Sequence, residues 1–107
     1  MKIEELQPET NFTELKVRIL SKQGPREVSA KGRPLHVWDI LVVDETGTTT
    51  LTLWGATAAD NYKVGQVITI SNGWCKMFRD KIQISLGKGG KIFLSDDDPK
   101  IPTKPPE

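Results

Sequence analysis

The chain is expected to fold as a small all-β barrel of five strands. Five short segments alternate between apolar and polar residues or run apolar, each bounded by Gly, Pro, Asn or Asp. Only Ala56 to Tyr62 has helical character, and seven residues are too few to hold a helix without packing. At 107 residues the chain is long enough for one modest core without staples. Short strands with no long helix close most readily into a barrel, here with a helical stub between strands three and four.

The opening residues are a polar lead in which Pro8 and Asn11 favour a turn. The first strand follows from Glu14 to Leu20, with Leu15, Val17 and Ile19 on one face and Lys16 and Arg18 on the other. Ser21 to Arg33 is rich in cations and broken by Gly24-Pro25 and Lys31-Gly32, so it reads as a long loop or loose hairpin able to act as a mobile lid. The second strand, Pro34 to Val43, is apolar almost throughout, and its period does not decide which face carries Trp38.

Asp44-Glu45-Thr46-Gly47 then supplies turn chemistry, and Thr50-Leu51-Thr52-Leu53-Trp54 alternates strictly, making a hairpin with the strand before it. Leucines facing the core put Trp54 on the threonine face. There it is either a contact surface or the floor of a small second core beneath a loop or the chain terminus. After the expected stub, Val64-Gly65-Gln66 turns the chain into a fourth strand starting at Val67. Asn72-Gly73 interrupts that strand, and a bulge there exchanges its faces: Cys75 and Met77 turn inward, and Trp74, Lys76 and Phe78 outward. Arg79-Asp80 is a turn. The fifth strand, Lys81 to Leu86, buries Ile82, Ile84 and Leu86. Gly87 to Lys91 is a flexible basic loop, without the spacing or the Ser/Thr of a phosphate-binding nucleotide loop, and Ile92 to Leu94 is a short closing strand. Residues 1–94 form the domain, and Ser95 to Glu107 reads as an acidic, Pro-rich disordered tail.

Charge is distributed unevenly behind a net value of +1. Residues 1–14 carry −3, residues 95–107 carry −2, and the stretch between carries +6, a basic body that suits a polyanion. Cys75 is alone, so no intrachain disulfide forms, and with His36 as the one histidine there is no zinc set and no cofactor is implied. No apolar run reaches membrane-spanning length and no secretory pattern opens the chain, so the expectation is a soluble, cytoplasmic, monomeric protein. Asp39, Asp44 and Asp80 show no paired-carboxylate spacing and His36 has no evident nucleophile, which argues against an enzyme.

The order of a long first loop, a stub after strand three and a hairpin between strands four and five suggests the OB-fold, which binds nucleic acid across strands two and three and the neighbouring loops. Asp44-Glu45-Thr46-Gly47, Leu51 to Gly55, Val64 to Val67, Gly73-Trp74 and Phe78, in that order, resemble the short single-OB single-stranded DNA-binding proteins of archaea. They are also similar to the eukaryotic sensor homologues of that family and, more distantly, to replication protein A. The resemblance covers residues 3–94, including Leu6-Gln7-Pro8 and the Gly87 to Gly90 run. It implies three base-stacking aromatics at Trp54, Trp74 and Phe78, the residues that alternation turns outward. The long Gly- and Arg-rich tail of many archaeal members is missing here.

The function implied is binding of single-stranded DNA with little sequence preference, in replication, recombination or repair, with repair or replication proteins as further partners. Lys76, Arg79 and Lys81 are closest to the aromatics in sequence, and Lys31 and Arg33 are candidates to close over the strand from the first loop. Each lysine has the alternative of a solvated surface charge. His36 and Trp38 complete the candidate set, His36 against the alternative of a satisfied or merely exposed side chain and Trp38 against that of a core residue; Cys75 reads as core. RNA is the closest competing ligand, since stacking and phosphate contacts do not identify the sugar, and a partner peptide on the aromatic face is the rival of a different class.

Overall fold

A computed structural model describes residues 1–105. A 3-10 turn at Ile3–Glu5 precedes five strands: β1 (Thr10–Ala30), β2 (Arg33–Asp44), β3 (Gly47–Trp54), β4 (Val67–Phe78) and β5 (Lys81–Ser95). They close as a barrel in the order β1-β2-β3-β5-β4. Every contact between neighbours is antiparallel except β3 with β5, which run parallel through Thr50↔Gln83 and Leu51↔Ile84. Among the described residues no helix is long and apolar enough to cross a membrane.

The interior follows the alternation. Leu15, Val17 and Ile19 of β1, Ile40 and Val42 of β2, Leu51 and Leu53 of β3, and Ile68 and Ile70 of β4 are all buried in one cluster. The bulge in β4 is present: pairing with β5 skips between Ser71 and Gly73, and Asn72 takes a left-handed φ of 56°. Beyond it the inward parity changes, so that Cys75 is buried beside Ile84 while its neighbours turn out. Two close approaches require glycine here. A Cβ on Gly73 would lie 2.0 Å from the buried ring of Phe12, and one on Gly90 would lie 2.6 Å from the carbonyl oxygen of Asn72.

Several expectations are corrected. Ser21 to Ala30 is no loop or lid: β1 runs through it, paired to β2 as far as Ala30↔Arg33, with Gly24-Pro25 absorbed as an irregularity between Gln23 and Arg26. Residues beyond Arg26 pair with β2 alone, so this hairpin projects as an arm. Ala56 to Tyr62 forms separate turns, closed by Ala58 N–H to Gly55 O, Asp60 N–H to Thr57 O and Tyr62 N–H to Ala59 O, and no helix. The Lys22 ammonium ties them down by donating to the carbonyls of Ala59 and Tyr62 at 2.8 and 2.7 Å. The glycine run joins the last two expected segments into one strand, β5, bent around the bulge. Met77, one residue from the end of β4, and Leu86, where β5 reaches the bulge, are exposed rather than inward.

After β5 the chain is held against the barrel as far as Ile101; Pro106 and Glu107, in the tail expected from Ser95 to Glu107, lie outside the described residues. Arg18 is the cause. Its guanidinium, buried on the outer face of β1, donates to the carbonyls of Gly65, Asp98 and Ile101 and pairs with Asp97 at 2.7 Å. Ile101 is buried with it, as are Val43 and Val67, the register partners of Arg18. The amide of Lys100 and the Lys16 ammonium hold the Asp98 carboxyl below its ordinary range. A depressed folded pKa contributes stability above the ordinary aspartate range and loses it as the pH falls through the folded value. Truncation after Ser95 is therefore expected to destabilise the barrel. Loss of Ile101 burial alone is worth about 1.5 to 3 kcal/mol, measurable by urea unfolding. Unchanged stability would mean the tail is not seated in solution.

Candidate nucleic-acid interface

The registers determine which side chains share the outer face. Directly paired residues point the same way. Trp54 is paired with Val37, Thr52 with Asp39, and Thr50 with Gln83. Across β5, Gln83 meets Lys76, Ser85 meets Trp74, and Lys81 meets Phe78. Trp54, Trp74 and Phe78 therefore stand on one face. Trp54 is 57 % exposed and Phe78 47 %, while Trp74 is half-buried. Alternation along β3 accounts for Trp54, and the bulge at Asn72 accounts for Trp74 and Phe78.

A groove of about 380 Å³ runs between two of these aromatics, with Trp54 on one wall, Phe78 and Lys76 on the other, and Val37 and Thr52 in the floor. Its far rim is formed by Arg26, Val28 and Ser29 of the β1 arm. Beyond Phe78 and Gln83 the surface opens into a second concavity of about 770 Å³, where Arg79 and Lys81 face Thr48 and Thr50. The Arg79 guanidinium lies 5.3 Å from the centroid of the Phe78 ring, a cation–π distance. Arg79 and Asp80 both have left-handed φ values, 51° and 65°, which makes the β4–β5 connection a tight two-residue turn and sets Arg79 at the mouth of the groove. Among the described residues none of Lys76, Arg79 and Lys81 is within 4 Å of a carboxylate.

Other expected site residues lie elsewhere. Trp38 is opposite Leu53 and buried in the core, where its indole N–H donates to the Ala56 carbonyl at 3.3 Å and Lys22 sits 5.2 Å from its ring. It supports the loop after Trp54 from inside, so its place on a binding face is corrected. His36 has the same parity as Trp38, away from the Val37–Trp54 face, and contributes its carbonyl, which accepts from Gly55 N–H at 2.8 Å. Lys31 and Arg33 are exposed at the arm's tip and do not line the groove. Arg26 does, a residue the sequence reading left among the cations of a supposed loop. Its place depends on the pairing of the arm with β2, for which Arg26-Glu27-Val28-Ser29 carries no local signal. Cys75 is core, and burial pushes its thiol up, so it stays protonated.

A face with accessible flat rings beside Lys76, Arg79 and Lys81, cations without a carboxylate partner among the described residues, can stack planar ligands and attract anions. Comparison with known proteins agrees in fold and lineage. The chain is 33 % identical over 97 residues to the single-stranded DNA binding protein Ssb of Saccharolobus solfataricus, covering 91 % of this chain and 65 % of that protein. It is 35 % identical over 92 residues to the replication protein A 70 kDa DNA-binding subunit of Tetrahymena thermophila, covering 84 % of this chain but 12 % of that one. The chain thus spans about two thirds of one relative and a small part of the other. Among solved structures, an OB domain from Thermoplasma acidophilum superposes with a TM-score of 0.75 at 18 % identity, covering 97 % of this chain and 92 % of that one. The replication factor A related protein from Methanobacterium thermoautotrophicum does so with 0.75 at 19 %, covering 90 % of each. Both show the fold alone. The family described as single-stranded DNA binding protein Ssb-like, OB fold, matches residues 6–94, and the chain belongs to it.

Proposed function

We propose that this domain binds single-stranded DNA, with bases stacked on Trp54, Trp74 and Phe78 and phosphates tracked by Lys76, Arg79 and Lys81. The observation that carries the reading is the shared outer face of the three aromatics, two of them close to half exposed, beside Lys76, Arg79 and Lys81, which have no carboxylate partner among the described residues. Stacking on an aromatic contributes about 1 to 3 kcal/mol per base and accepts any base, because each has a flat face. Family membership and the named ligand of the Saccharolobus solfataricus relative support the same ligand. A role in replication, recombination or repair follows from that ligand, which those processes expose.

The test is a tryptophan-fluorescence titration with oligo-dT, with its duplex and with an RNA of equal length. Oligo-dT is expected to quench the emission, since two of the three platforms are indoles, and duplex to compete weakly because its bases are paired and stacked. Equal affinity for duplex would contradict stacking. Tighter binding of the RNA would make RNA the ligand.

A further inference from the structure

Beside Trp54 the proposed face carries a carboxylate, a group that a surface built only to attract phosphate would lack. Asp39 of β2 is paired with Thr52, one step along from the Val37–Trp54 pair. Arg26 is paired with Val37 across β1 and reaches back to Asp39, its Nε donating to Oδ2 at 2.9 Å. Both groups remain open to a ligand: the Arg26 side chain is 58 % exposed and that of Asp39 27 %. Oδ1 of Asp39 accepts no hydrogen bond among the described residues, and neither terminal nitrogen of Arg26 donates one. A free acceptor and free donors thus stand side by side, next to a stacking tryptophan.

We propose that Arg26 and Asp39 together read the edge of the base stacked on Trp54, favouring cytosine or guanine over thymine. This inference rests on the proposed binding of single-stranded DNA. Diagonal neighbours on adjacent strands are about 7 to 8 Å apart, so the edge of a base lying on Trp54 comes within reach of Asp39. Cytosine offers an amino donor at N4 beside acceptors at N3 and O2. The carboxylate takes the first and the guanidinium serves the others. Guanine presents two adjacent donors and the acceptor O6, which the same two groups satisfy. Thymine presents a single N–H between two carbonyl oxygens, and a carboxylate facing that edge meets like partial charge. An acidic side chain accepting from cytosine N4 is an established mode of base readout. The carboxylate also repels phosphate, which keeps the bases over β2 and β3 and the backbone toward Lys76, Arg79 and Lys81.

Affinities of equal-length oligo-dC and oligo-dT for the wild type, Asp39→Asn and Arg26→Gln test this. Homopolymers put the same base over Trp54 in every register. The wild type is expected to bind dC at least about fivefold more tightly than dT, the lower end of discrimination by one well-placed contact. Asp39→Asn should bring the ratio to about one, chiefly by strengthening dT binding, and Arg26→Gln should reduce it. A wild-type ratio near one, or Asp39→Asn tightening both oligomers equally, would overturn the inference and leave a general electrostatic effect. Absence of tryptophan quenching by either oligomer would instead overturn the proposed function. Arg26→Gln keeps the test decisive if Asp39→Asn fails to fold.

Discussion

Asp44→Ala is expected to destabilise the domain by about 3 to 5 kcal/mol in urea unfolding, a large share of the roughly 5 to 15 kcal/mol that holds a small domain together. The Asp44 side chain is fully buried at the end of β2 and gathers four donors. Oδ1 accepts from the Thr46 amide at 2.7 Å, the Thr46 hydroxyl at 2.6 Å and the Gly47 amide at 3.2 Å, which closes the β2–β3 turn. Oδ2 accepts from the buried amide of Ile3 at 2.8 Å, which seats the N-terminal 3-10 turn on the barrel. Removing the carboxylate leaves the Ile3 donor dry, at about 1 to 3 kcal/mol, and takes charge-assisted bonds from the turn as well. Ile3 and Leu6, buried by that seating, lose part of their cover. Asp44→Asn retains the shape but directs an amide N–H toward one of the four donors, so it should be destabilised too, though less. Stability within 1 kcal/mol of wild type for Asp44→Ala would show that the turn does not depend on this group.

Trp54→Ala is expected to weaken binding of single-stranded DNA by about 1 to 3 kcal/mol, a loss of roughly five- to 150-fold in affinity, with the fold intact. The ring is more than half exposed, so its removal leaves no buried cavity and costs the barrel little. No charge is lost, so the dependence of affinity on salt should stay as it was. Affinity equal to wild type would show that Trp54 is no platform.

How far the sequence could be read depended on whether local pattern or distant contact decided each element. Alternation in Thr50 to Trp54 is local, and it put Trp54 outside and the two leucines inside, as the structure has them. The Asn-Gly pair at 72–73 marked a bulge for a local reason, tolerance of a left-handed φ, and the exchange of faces at Cys75 followed from it. Gly24-Pro25 carried the opposite hazard. It looks like a loop signal, yet the segment is strand because β2 pairs with it, a contact no local pattern encodes. The expected helix at Ala56 to Tyr62 has the composition for one, but its amides close separate three-residue turns, and Lys22, nearly forty residues away in sequence, anchors the Ala59 and Tyr62 carbonyls. Ile101 in a polar, Pro-rich tail gave no sign that Arg18 would gather its carbonyl. At the candidate site the aromatics were legible because they lie on regular strands. Arg26 was not, because its place in the groove depends on the pairing of the arm.

The central claim, that stacking and phosphate contacts act together on one face, is tested most directly by affinity for oligo-dT at several salt concentrations for wild type, Trp54→Ala and Arg79→Ala. Parallel lines of log affinity against log salt are expected for wild type and Trp54→Ala, displaced by the lost stacking, with a slope shallower by about 0.7 for Arg79→Ala on loss of one phosphate contact. A Trp54→Ala line superimposed on that of wild type, or a changed slope for Trp54→Ala with none for Arg79→Ala, would contradict it.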